Sequence, residues 1–162
     1  KPGWTQSPSD FTRGYDGGVA DAQTALRLHA AAGGPPSAPI FFSVDEDIDA
    51  AAWKSLAVKW FRGINSVLGV DRTGIYGGAR QCTWAINDDV IGKSTSPGHR
   101  WAWQTRAWSH GDRETAAVLF QREIVTATEP GFVIDGAHVD VNDVLAADFG
   151  QWDLTRQQGE LS

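Results

Sequence analysis

Apolar positions along the chain fall into short runs, and two periods take turns along it. Val19, Ala22, Ala25, Leu26 and His29 recur at helical spacing, and Gly33-Gly34 follows as a stop. Ile40-Phe41-Phe42-Ser43-Val44 is a continuous apolar and β-branched run preceded by Pro35, Pro36 and Pro39, which predicts a buried strand over about 39–45. From about Ala50 to Leu68 the period returns to that of a helix. Trp53, Leu56, Ala57, Trp60, Phe61, Ile64 and Leu68 form one stripe there, ended by Gly69. Arg72 to Gly78 is a short strand ending in glycines, followed by a helix over about 79–86. Trp101–Thr105, Val118–Gln121 and His138–Asn142 are three further strand candidates, while 1–16, 87–99 and 106–116 are polar and predict loops. Strand, helix, strand, helix at this spacing argues for parallel β/α units rather than an all-β fold.

Each predicted strand ends in polar or flexible residues: Asp45 and Asp47, Tyr76-Gly77-Gly78, Trp103-Gln104, Gln121, and Asp140 with Asn142. Sites in α/β proteins gather at the carboxyl ends of strands. A rim of Asp, Tyr, Trp, Gln and Asn suits a sugar, because hydroxyls need acceptors and amides while ring faces need aromatic surface. The first strand breaks into Asp45-Glu46-Asp47-Ile48-Asp49. Strand alternation puts Asp45 and Asp47 on one face, about 6.5 Å apart along the backbone, with Glu46 on the other. That spacing is near the separation of a glycosidase carboxylate pair. Asp47 or Asp49 can instead cap the helix that starts at Ala50.

Composition narrows the function classes. The 162 residues carry a formal charge of −6, which argues against binding nucleic-acid phosphates, and no apolar run approaches the roughly 20 residues of a membrane span. The length predicts one domain over 1–162. Eight tryptophans make an aromatic-rich chain, suited to cores and to sugar faces alike. The single cysteine, Cys82, lies on a predicted helix and reads as a small core residue. His138, two residues before Asp140, could touch a site there or close the opposite end of a barrel. The chain contains no methionine and begins at Lys1, so it is expected to be part of a longer product.

Four blocks together carry a family resemblance. They are Ile-Phe-Phe-Ser-Val-Asp-Glu-Asp from Ile40, Leu-Gly-Val-Asp-Arg-Thr-Gly-Ile-Tyr-Gly-Gly from Leu68, Trp-Ala-Trp-Gln-Thr-Arg-Ala-Trp-Ser from Trp101, and Val-Asp-Val-Asn-Asp from Val139. In that order, over about 17–152, they resemble the glycoside-hydrolase-like domains of actinobacteria and their phage lysins. Those domains are in turn similar to family 25 glycoside hydrolases, the muramidase-type lysozymes. The resemblance implies a TIM-type β/α barrel with an Asp-x-Glu acid pair at the end of its fourth strand. It implies a secreted, wall-located or phage-released protein that cleaves peptidoglycan without a cofactor or metal. Carried onto this chain, Asp47 is the general acid and Asp45 the carboxylate that stabilises or orients the reacting sugar. Tyr76 lies on the site floor, Trp103 and Gln104 line a subsite, Gln121 joins the rim, and Asp140 and Asn142 hold substrate from the last strand.

The chain departs from the family pattern in two ways. The second acid is Asp47 where the pattern has Glu, and five strand candidates stand where a complete barrel has eight. The five correspond to strands four to eight, so the first three are expected on a preceding segment or on another fragment or chain. The alternatives are a glycan-binding domain that kept the rim without the chemistry, and a metal-dependent hydrolase built on Asp45, Asp47, Asp49 and Asp140.

Overall fold

Five strands line up in one sheet in the order β1 (Ile40–Ser43), β2 (Thr73–Gly77), β3 (Arg100–Thr105), β4 (Ala117–Glu123) and β7 (Val141–Val144). The structure, a computed structural model, describes residues 8–126 and 128–153. The sheet is parallel from β1 through β4, with Ile40 beside Thr73, Ile75 beside Ala102 and Gln104 beside Phe120. Between β4 and β7 a two-stranded hairpin stands apart, formed by β5 (Phe132–Ile134) and β6 (Ala137–Val139). Its turn is Asp135-Gly136, both at positive φ, as a two-residue hairpin of this kind requires.

Helices α1 (Gly14–Ala31), α3 (Val58–Leu68) and α4 (Ala79–Asn87) accompany the sheet. Before α3 the chain winds through a short turn, α2 (Ala50–Ala52), and a π-helical turn, Trp53–Ala57. Asp49 caps the start of this rod, accepting from the Ala52 amide at 2.8 Å. Phe42, Val44, Ile75 and Ala102 pack into one core with Trp53, Trp60, Phe61 and Ile64 from the rod. Each of these indoles has its N–H satisfied: Trp53 donates to Asp88 at 2.7 Å and Trp60 to Asp21 at 2.9 Å. α1 and α3 approach so closely that Gly18 lies on the Trp60 carbonyl and Gly63 on that of Tyr15.

The predicted strands and helices stand in place, with two corrections. First, 1–16 is not all loop. A 3₁₀ turn covers Asp10–Arg13 and α1 starts at Gly14, because Gly18 serves as a contact within the helix rather than as a break. Second, the predicted strand 138–142 is two strands divided at Asp140, and β7 runs antiparallel to β4. A reversal needs only a short connection, whereas another parallel strand needs a long crossover, and the chain after β4 spends its residues on the hairpin instead. With five strands where a complete barrel has eight, the described strands form an open sheet and no closed barrel. No helix among the described residues is long and apolar enough to cross a membrane.

Candidate functional site

Strand alternation decides which side chains reach the face not covered by helices. Phe41 and Ser43 on β1, Tyr76 on β2, Trp103 and Thr105 on β3, Leu119 and Gln121 on β4 and Asn142 on β7 share that face by register. At the carboxyl end of the parallel strands it opens into a cleft of about 620 Å³, whose lining includes Asp45, Tyr76, Trp108, Gln121, Val125 and Asp140. Asp140 arrives there because β7 is antiparallel, which puts the residue before it at the same end as the residues after β1 to β4. The last strand thus contributes its entry, not its exit.

A hydrogen-bonded chain crosses the cleft floor. The Tyr76 hydroxyl donates to Gln121 Oε1 at 2.7 Å, and Gln121 Nε2 donates to Asp140 Oδ2 at 2.7 Å. The Val125 amide donates to the other Asp140 oxygen at 3.0 Å. Burial pushes the Tyr76 hydroxyl above its ordinary range, and the negative charges of Asp140 and Asp45 push the same way, so Tyr76 remains a donor at working pH. Gln121 is buried, so its amide orientation is fixed by these partners on both sides.

The two acids of the first block part company. Asp45 lines the cleft. Asp47 does not line it; Arg80 of α4 grips Oδ1 at 2.6 Å and His110 Nε2 lies 2.8 Å from Oδ2. The hydrogen bond from His110, helped by Arg80, holds the Asp47 carboxyl below the usual carboxylate range. A general acid needs the reverse. The shared-face expectation fails because the strand ends at Ser43 and its alternation does not extend to 47.

Gln104 also lies elsewhere. It is fully buried on the helix-side face, with Nε2 on Ser109 Oγ and the Asp112 carbonyl and Oε1 on the Glu114 amide. Trp103 and Gln104 are consecutive in a strand and so point to opposite faces. Trp103 lies on the open face, edge-on to Tyr76 at 5.1 Å and to Phe41 at 6.1 Å, and its indole donates to Asn142 Oδ1 at 2.7 Å. Trp103 and Asn142 are therefore tied to each other beside the cleft. His138 is on the exposed hairpin, bonded to the Pro130 carbonyl. Cys82 is a buried free thiol whose pKa burial raises, as a core residue. Among the described residues no group of three His, Cys, Asp or Glu side chains is placed to hold a metal ion.

Trp108, Ile124 and Val125 are lining residues that strand-end patterning misses. Trp108 lies in a segment that reads as polar loop, although it is part of the third resemblance block.

Comparison with known proteins agrees with this architecture. The family model of the Rv2525c-like, glycoside hydrolase-like domain matches residues 2–144. The chain is 37% identical over 146 residues to the "Putative peptidoglycan hydrolase Rv2525c" of Mycobacterium tuberculosis, an alignment covering 90% of this chain and 56% of that protein. The chain thus spans about half the length of that curated relative. Two crystal structures of the M. tuberculosis Tat-secreted protein Rv2525c, one in complex with L-tartrate and one with HEPES, match with a TM-score of 0.77 at 37% and 36% identity. Each match covers 92% of this chain and 67% of the other. The chain belongs to the Rv2525c-like family of glycoside hydrolase-like domains.

Proposed function

We propose that this domain is a peptidoglycan-directed glycoside hydrolase of muramidase type, with Asp45 as the carboxyl group at the reacting sugar. The observation that carries this reading is the cleft itself: Asp45, Tyr76, Trp108, Gln121 and Asp140 converge at the carboxyl ends of parallel strands. Asp45 is the group that meets the charge or proton at the glycosidic bond. Tyr76, Gln121 and Asp140 form a pre-set row of donors and acceptors for hydroxyl or N-acetyl groups, already oriented before substrate arrives. The curated relative's name points to the same substrate, and the description of Rv2525c as Tat-secreted fits action outside the cytoplasm. We further take the whole chain as one domain and its sheet as one wall of a β/α barrel, completed by strands from elsewhere.

One observation favours a second reading. Asp47, the expected proton donor, is held ionised by Arg80 and His110 away from the cleft. A rim without its acid would bind glycan and not cut it.

Release of reducing sugar from purified actinobacterial peptidoglycan separates the two. Under the hydrolase reading the wild type releases sugar, and Asp45→Asn lowers turnover about 100-fold or more while leaving the melting temperature unchanged. Wild-type protein that pellets with cell walls yet releases nothing would establish the binding domain instead.

A further inference from the structure

Between Thr105 and Glu114 the chain is held in a shape it would not choose. Trp108 and His110 both have positive φ, 59° and 53°, in the left-handed region that side chains other than glycine avoid. Between them Ser109 is buried and acts as a hub: its hydroxyl donates to the Thr105 carbonyl and accepts from the Ala79 amide and from Gln104 Nε2, each at 3.0 Å. Gln104 ties the far end of the segment as well, through Asp112 and Glu114. The Trp108 carbonyl presses onto the backbone at Gly78, where a Cβ would lie only 2.7 Å from it. His110 reaches across to Asp47, whose other oxygen Arg80 holds. Backbone strain persists only where its surroundings over-determine it, and here they do so at the wall of the cleft. What the strained segment delivers there is Trp108, which lines the cleft with Asp45, Tyr76, Ile124 and Val125.

An indole is a broad, rigid, apolar surface with few rotamers to freeze, which suits the C–H face of a pyranose. Trp53 and Trp60 are buried in the core and Trp103 is tied to Asn142. Trp108 is the tryptophan that the cleft lining contains. We propose that Trp108 is the stacking platform of the cleft, seating the apolar face of a sugar ring, and that Asp47 is a positioning residue that holds its loop through His110. The inference rests on the glycan-directed reading above and names the residue that recognises the ring.

Titration calorimetry with soluble, uncross-linked peptidoglycan strands, run beside thermal melting, tests it. Trp108→Gly removes the indole and also relieves the left-handed strain. It should therefore weaken binding about tenfold or more while the melting temperature stays level or rises. Trp108→Phe keeps an aromatic face and should hold affinity within about threefold of wild type. A fall in melting temperature for Trp108→Gly would make the ring a structural residue and overturn the assignment. So would wild-type affinity in that variant, which leaves the glycan reading standing. Wild type that neither binds nor cleaves the strands sinks the glycan reading and the platform with it. For Asp47→Asn a positioning role shows as weaker binding, or a raised KM, with kcat retained. Lost turnover at unchanged affinity would return Asp47 to the chemistry and remove it from the latch.

Discussion

The two faces of the sheet use the same residue types for opposite ends. On the helix side Phe42 stands edge-on to Trp60 at 5.9 Å, Trp60 to Phe61 at 5.2 Å, and Trp53 lies between Phe61 and Trp84. Trp53, Trp60, Phe61 and Phe42 are all buried there. On the other side Phe41 and Tyr76 each meet Trp103 edge-on, yet all three remain partly exposed and run into a row of amides and acids. An aromatic residue is therefore no sign of a core or of a site by itself. What separates the two is burial: the helix-side rings are sealed into the core, while the open-face rings stay partly exposed beside a cleft that Tyr76, Gln121 and Asp140 line.

Truncation should expose this difference most strongly. Phe61→Ala empties a fully buried position between two tryptophans, and we expect it to lower stability by about 3–5 kcal/mol in urea denaturation. Trp103→Ala on the open face should cost less, about 1–2 kcal/mol, because its side chain is already partly exposed and loses chiefly two aromatic contacts and one hydrogen bond. Equal losses at the two positions would mean that the open face is as much a core as the helical one.

Overpacking the helix side sharpens the same point. A Cβ at Gly63 would lie 2.0 Å from the Tyr15 carbonyl oxygen, and backbone cannot move aside as a flexible side chain can. Gly63→Ala should cost about 1–3 kcal/mol, against the helix-propensity gain that alanine normally brings. A stabilised Gly63→Ala variant would show that α1 and α3 pack less closely than described.

The helix side was also the legible side of the sequence. Periodicity over 50–68 marks the rod and its stripe because burial, not local preference, sets that pattern, and the apolar runs at 40–44 and 101–105 mark β1 and β3 for the same reason. The start of α1 was hidden, since the polar composition of 1–16 reads as loop, although the helix begins at Gly14 and Gly18 is its packing surface for a neighbouring helix. The hairpin carried its signal in Asp135-Gly136 between apolar residues, although β5 and β6 are too short to declare themselves. At the site, Asp45, Tyr76, Gln121 and Asp140 were legible as strand-end residues, and they converge. Gln104 was misplaced through parity that the sequence already contained. Asp47 and Trp108 depend on where a loop turns after its strand ends, and no local pattern encodes that.

The smallest expected effect tests the latch on which the open face depends. His110 and Arg80 keep the Asp47 carboxyl below its ordinary range, so the folded state favours the ionised form more than the unfolded chain does. Such a group adds stability that is complete above the unfolded value, about pH 4, and is lost as pH falls through the lower folded value. The difference in melting temperature between wild type and Asp47→Asn should then shrink as pH falls below about 4. The side chain is 38% exposed, so the difference should also shrink in high salt, where a buried pair would hold. A gap that widened below about pH 4 would mean that Asp47 prefers its neutral form in the folded protein. The carboxyl would then be poised to donate a proton, and the strained loop would need another anchor.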